Sequence, residues 1–211
     1  MRWTGVLLMV AGCQFSSMAG PNTPDAAAGD GRPHGLGMFV TWRANPTIPG
    51  TLSDNLTVSD ATFQIDRLQI VAEAGNVMRT RSLLAWDSTA TPQEENFPGA
   101  PPGMYSRVTL VMMPGGYGDY AYQIHGTWRD TSPPKNFEIR DNTALSIGLN
   151  CSAMLAAAGS ATIGLKVDLR DALDGIDFKS LDEEDGVLEL HDGQALIDFR
   201  GRLMNAFELD N

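Results

Sequence analysis

From Gly35 onward, apolar residues recur at every second position in short runs, and clusters rich in glycine, proline and asparagine separate the runs. A period of two puts alternate side chains on opposite faces of an extended chain, so each run reads as a half-buried β-strand. Leu36 to Trp42 is the first. Ala61 to Val71 is the second: Phe63 and Ile65 share one face, whereas Leu68 and Ile70 have the other parity. A phase change inside a continuous strand needs one extra residue, which predicts a β-bulge near Arg67. Val108, Leu110 and Met112 align within Tyr105 to Met113, and Tyr120, Tyr122, Ile124 and Trp128 within the next run. Asn136 to Arg140 carries Phe137 and Ile139, and further alternating runs cover Leu145 to Cys151 and Ile163 to Leu169. Turn clusters lie between them, at Pro114-Gly115-Gly116, Thr131-Ser132-Pro133-Pro134 and Asp141-Asn142. This pattern predicts a mainly β fold, an antiparallel β-sandwich.

The last part of the chain changes period. Leu196, Phe199, Leu203 and Phe207 recur at three and four residues, which predicts a helix over Gln194 to Leu209 that packs its apolar stripe on the sandwich. Asp192 stands where an acid caps a helix and complements its dipole. Ser152 to Ala158 is alanine-rich and reads as one or two helical turns, and Leu169 to Phe178 as another short helix. At 211 residues the chain is long enough for one sizeable core. A single domain is expected over 35–211.

Charge excludes one class of partner. The net charge is -11, and a general nucleic-acid surface needs a basic patch to displace counterions. The acidity is uneven. From Asp168 to Asn211 thirteen acids face four bases, a balance of -9, whereas residues 35–167 hold eleven acids and nine bases, a balance of -2. Asp182, Glu183, Glu184 and Asp185 form a run whose oxygens suit a hard divalent cation. The run lacks the alternating spacing of an EF-hand loop, so a solvated acidic face stands as the other reading.

Catalytic and cofactor signals are sparse. His34, His125 and His191 are scattered and give no metal-ligand spacing. His125 has the opposite parity to Tyr122 and Ile124 and is expected to face solvent. Cys151 shares parity with Leu145, Ile147 and Leu149, so it is expected to face the core with a raised pKa. The stretch Pro114-Gly115-Gly116-Tyr117-Gly118-Asp119 lacks the Gly-Lys-Ser/Thr ending of a phosphate loop and reads as a hairpin loop. Tyr117 and Tyr120 flank it and are candidate binding residues for a sugar or a protein partner. No cofactor is expected, and a binding or structural role is expected rather than catalysis.

The N-terminus has its own signature. Arg2 is followed by a short apolar stretch that ends Val10-Ala11-Gly12-Cys13. A membrane-spanning helix needs about 20 apolar residues, so this length suits a secretory signal. The four-residue ending resembles the lipobox of bacterial lipoproteins. The resemblance implies that residues 1–12 are a signal peptide and that Cys13 is lipidated and anchors the chain to membrane. Residues 14–34, poor in large apolar groups, are expected to form a tether. Gln14 in place of aspartate after the cysteine implies, by the same resemblance, the outer membrane of the cell envelope.

A second resemblance lies further along. A strand, a short apolar stretch (Ser82 to Trp86) and Pro101-Pro102-Gly103-Met104-Tyr105 leading into the next strand resemble a group of bacterial lipoproteins of unknown function. Their fold is a transthyretin-like or immunoglobulin-like β-sandwich. The resemblance spans roughly residues 36–170 and implies a fold and a location without supplying catalytic residues. The expected protein is thus a lipid-anchored envelope protein with a protein or glycan partner at the cell surface. The alternative is an envelope protein that binds divalent metal through its acidic C-terminal segment.

Overall fold

The computed structural model describes residues 35–88 and 93–210. Cys13, the signal segment, the tether and His34 lie outside the described residues. The chain runs β1 (Gly37–Asn45), β2 (Gly50–Ser53), β3 (Leu56–Ala72), β4 (Val77–Trp86), β5 (Gln93–Phe97), β6 (Gly103–Met112) and β7 (Tyr122–Trp128). It continues with β8 (Lys135–Asp141), β9 (Leu145–Leu155), β10 (Ser160–Asp168), α1 (Leu169–Leu173), a 3-10 turn (Phe178–Ser180), β11 (Asp182–Glu184), β12 (Val187–Leu190), α2 (Gly193–Ala206) and β13 (Phe207–Leu209).

The fold is mainly β and forms a sandwich of two sheets. The smaller sheet has the order β13-β10-β1-β5, and the larger follows β11-β12-β8-β7-β3-β6-β9. The long strand β3 organises the larger sheet. Its first half pairs with β7 and its second half with β6, while β2 and β4 occupy its other edge. Most pairings are antiparallel. Two are parallel, β1 with β10 and β8 with β12, because each joins segments separated by long connections. The bulge expected near Arg67 is present, where the register against β6 shifts between Ile65 and Arg67.

Several elements differ from the sequence reading, each for a physical reason. Ser152 to Ala158 is not helical. β9 runs on to Leu155 with unbroken alternation, since Leu145, Ile147 and Leu155 are buried while Ser146, Gly148, Asn150, Ser152 and Met154 are exposed. Sheet pairing against Met104 and Gly103 thus overrides the helical preference of Ala153 and Leu155. Tyr120 precedes β7 and does not share the buried face of Tyr122. The C-terminal helix spans Gly193–Ala206 and gives way to β13, which puts Phe207 on an edge strand beside β10. Asp192 occupies the N-cap position, but its side chain makes no capping bond. Strands β2, β4, β5, β11 and β12 carry too little alternation to announce themselves.

One core unites both sheets and α2. Leu196, Phe199 and Leu203 bury the helix stripe, each contributing about 1.5–3 kcal/mol relative to exposure. Phe199 packs 5.9 Å from Tyr122, and Phe207 packs edge-on at 5.7 Å from Phe63. Tyr105 is fully buried, and its hydroxyl donates to the Pro101 carbonyl at 2.7 Å, which closes the Pro101-to-Tyr105 lead-in onto β6. Gly126 on β7 leaves room for the Phe137 ring: a Cβ there would collide with that ring and with the Thr57 carbonyl. Cys151 is partly buried, burial pushes its thiol up, and its sulfur lies 3.7 Å from the Tyr105 carbonyl.

A buried polar network pins α2 to the sheet. Asp141, at the end of β8, is 3 % exposed. Arg200 of α2 donates to its two oxygens at 2.5 and 2.9 Å, the Tyr122 hydroxyl donates at 2.9 Å, and the Thr143 backbone N–H donates at 2.9 Å. Burial pushes the Asp141 carboxyl up, but the donors outweigh it and hold the group below the ordinary carboxylate range. Burial, reinforced by the adjacent carboxylate, drives the Tyr122 hydroxyl far above the normal phenol range.

Candidate functional site

The polar chemistry of the larger sheet gathers on its outer face. Sheet register builds the central feature. Asp60 on β3 pairs with His125 on β7, His125 with Glu138 on β8, Glu138 with Glu189 on β12, and Glu189 with Asp182 on β11. Five residues far apart in sequence therefore form one row across five strands. Cross-strand neighbours on one face sit about 4.5–5.5 Å apart, close enough to interact directly.

The contacts along the row are specific. His125 Nδ1 lies 2.5 Å from an Asp60 oxygen, and its Nε2 lies 3.6 Å from Glu138. The Ser59 hydroxyl donates to the other Asp60 oxygen at 2.9 Å. Glu138 and Glu189 stand side by side, and their repulsion is relieved by Arg140, which approaches Glu138 at 3.5 Å and Glu189 at 2.7 Å. His191 Nδ1 contacts the same Glu189 oxygen at 3.2 Å. Gln123 donates to Glu138 at 3.3 Å. The row thus presents carboxylates, imidazoles, an amide and a guanidinium in fixed mutual positions, a set suited to hydrogen-bonding hydroxyls or amides of a ligand.

The loop after β6 straps this face. At Gln64 the partner of β3 changes from β7 to β6, and the backbone there bonds to both flanks: Gln64 N donates to the Ala121 carbonyl at 2.8 Å, and Met113 N donates to the Gln64 carbonyl at 3.2 Å. The Gln64 side chain then holds the loop itself. Its amide donates to the Tyr120 carbonyl at 2.6 Å, and its oxygen accepts from Tyr117 N at 3.3 Å. Gly115 and Gly118 bridge one another, which sets Gly116 and Tyr117 at the tip. Tyr117 is 56 % exposed, and its hydroxyl donates to the Arg81 carbonyl of β4 at 3.1 Å. Tyr120 lies on the other side, with the Arg140 guanidinium 5.5 Å above its ring. The loop is therefore a strap across the sheet, with one tyrosine toward β4 and the other at the end of the polar row.

The structure brings some sequence candidates together and separates others. Tyr120 and Asp182, read as belonging to unrelated features, lie on the same face. The acidic run does not converge. Asp185 and Gly186 have φ of 50° and 84°, the signature of a tight hairpin turn, so Asp182, Glu183 and Glu184 form a strand whose side chains alternate. Glu183 pairs with Lys135 at 2.6 Å. Among the described residues no group of three or more His, Cys, Asp or Glu is arranged to hold a metal ion. His125 is part-exposed as parity predicts, but Asp60 and Glu138 had no local signal in the sequence, since only strand register joins them to it.

On the other side of the strap the charge changes sign. Arg67, Arg81 and Arg107 are exposed there and make no ion pair among the described residues, and the Arg107 guanidinium lies across Gly148 of β9. A separate shallow cleft of ≈ 200 Å³ opens at one end of the sandwich, with Trp128 and Phe178 on its floor and Asn55, Arg170 and Asp174 at its rim. No helix among the described residues is long and apolar enough to cross a membrane. Comparison with family models, with characterised proteins and with solved structures gave no match to this chain.

Proposed function

We propose that the chain is a lipid-anchored protein of the bacterial cell envelope, held at the outer membrane through Cys13, which binds a glycan or protein at the cell surface through the strapped outer face of its larger sheet. The observation that carries this reading is the clamped strap. Gln64 fixes the loop from both sides, so Tyr117 is displayed on a preorganised tip while Tyr120 is held at the end of a ready row of hydrogen-bonding groups. An aromatic ring held in place beside polar partners binds without paying to order itself. The role is binding, not catalysis.

Two measurements test the two halves separately. Fractionation of cells expressing the Cys13→Ser variant should move the protein from membrane to soluble fractions; unchanged membrane retention refutes the anchor. An array of bacterial surface glycans and envelope-protein peptides should retain the wild-type chain and lose the Tyr117→Ala and His125→Ala variants. Equal retention of all three removes the outer face as the binding surface.

A further inference from the structure

We propose that the cleft at the end of the sandwich binds a free apolar α-amino acid, whose side chain enters the aromatic floor while its carboxylate and ammonium meet Arg170 and Asp174 at the rim. None of the cleft residues belongs to the strapped face. The site is therefore additional to the binding role given to that face and is tested apart from it.

The floor is apolar and fixed. The hairpin joining β2 to β3 supplies Leu52 and Leu56, and the segment from α1 to the 3-10 turn supplies Leu173, Ile176 and Phe178. Sheet register sets Trp128 of β7 opposite Leu56, and the Trp128 ring stacks on Phe178 at 6.0 Å and 17°. Phe178 in turn packs 5.0 Å from Phe137. The rings are thus held in place before a ligand arrives, which removes the cost of ordering them. The space is ≈ 200 Å³. An apolar cavity of about 150 Å³ takes benzene, so one phenyl or isobutyl group fits here with room for a small head group, and a longer ligand must project into solvent.

Charge at the rim selects the head group. Ser53, Asn55, Arg170 and Asp174 line the cleft, and none of their side chains is committed to an ion pair or hydrogen bond among the described residues. Arg170 and Asp174 have the spacing of neighbours on a helix face. The helix ends at Leu173, however, and Asp174 takes extended backbone at φ -60° and ψ 138°, so the two opposite charges stay unpaired. A ligand that carries both charges on one carbon answers both. A lone anion meets Asp174, with Asp171 and Asp177 close in the chain; a lone cation leaves Arg170 without a partner. A sugar sets its hydroxyls against a floor of aliphatic and aromatic carbon, where they lose water without gaining partners.

The test is an NMR titration of the full chain carrying Cys13→Ser with L-leucine and L-phenylalanine. Saturable shifts are expected in the amides of residues 53–56 and 170–178 and in the Trp128 indole, half complete at about 1 mM. Glycine, which has both charges and no apolar body, should give none. N-acetyl-L-leucine lacks the ammonium and L-leucinamide lacks the carboxylate; each should bind about two- to fivefold more weakly than L-leucine, the scale of an exposed ion pair. Asp174→Asn should weaken L-leucine by the same factor without weakening N-acetyl-L-leucine, and Arg170→Gln should do so without weakening L-leucinamide. Both substitutions are at exposed positions. Absence of saturation by about 20 mM, shifts with glycine that match those with leucine, or equal affinity for leucine and its two one-charge derivatives overturns the proposal. Glucose that binds as tightly as leucine overturns it as well and assigns the cleft to a sugar.

Discussion

Replacing Arg200 by alanine removes two of the four hydrogen bonds that hold the Asp141 carboxylate inside the protein. The Asp141 side chain is 1 % exposed and Arg200 is 24 % exposed, so once its partner is gone the acid meets water only through the opening that Arg200 now fills. Breaking a buried ion pair by deleting one member costs about 3–5 kcal/mol, because the remaining charge stays desolvated. The partial exposure of the guanidinium lets water replace some of its contacts, which places this case near the lower end, about 3 kcal/mol. For a domain of this size each kcal/mol corresponds to about 2–4 °C, so the melting temperature should fall by about 6–12 °C. The pH dependence follows from the sign of the shift. Asp141 sits below its unfolded pKa in the folded protein, so its contribution is full above the unfolded value near about 3.9 and is lost as pH falls through the lower folded value. In the variant the buried carboxyl has lost its guanidinium and is easily protonated, which caps its penalty in acid. The difference between wild type and variant should therefore be large at pH 7 and smaller at pH 4, measured by urea unfolding at each pH. Replacing both members with apolar residues, as Asp141→Leu with Arg200→Met, should recover much of the loss, since no stranded charge remains. A cost below about 1 kcal/mol at pH 7, equal costs at both pH values, or a double variant as damaged as the single one would refute the reasoning.

Two further perturbations address the face and the core. Gln64→Ala strips the strap of its side-chain anchor and strands the Tyr120 carbonyl, so amide exchange over residues 113–120 should accelerate while β3 and β7 keep their protection; unchanged exchange would mean that the loop holds itself. Gly126→Ala forces a methyl group into the Phe137 ring and the Thr57 carbonyl and should cost about 1–3 kcal/mol in urea unfolding, whereas Gly99→Ala, which meets nothing, should cost far less.

The legible part of the fold was the part written in local period. Phe63, Ile65, Leu68 and Ile70 disclose β3 and its bulge because burial on one face leaves an alternation that a single extra residue visibly breaks. The α2 stripe is readable for the same reason. What escaped was set by tertiary pairing. The alanines after Cys151 favour a helix in isolation, yet β6 offers a ladder of backbone partners out to Leu155, and the strand wins. Strand β4 reads as polar because its exposed stretch Met78 to Arg81 lies at a sheet edge, where alternation has nothing to report.

The acidic run shows why the candidate site was harder to read than the fold. Four adjacent acids attract attention because they are adjacent, but an extended chain sends neighbours to opposite faces, and the tight turn at Asp185 and Gly186 ends the strand before a cluster can form. Adjacency is therefore evidence against convergence once the segment is a strand. The residues that do converge are 60, 125, 138, 182 and 189, whose separations follow no motif spacing because each is fixed by the register of a different strand pair. Each alone looks like an isolated surface residue. The excess of acid is what makes the row depend on Arg140: Glu138 and Glu189 are neighbours across a parallel pair, and like charges so placed destabilise the pairing unless a cation lies between them. Arg140 fills that role while its guanidinium also covers Tyr120, so the residue that makes the acidic row tolerable also ties it to the strap. Stability of the β8–β12 pairing and placement of the aromatic edge of the site are in this way the same interaction, and a substitution at Arg140 should disturb both at once.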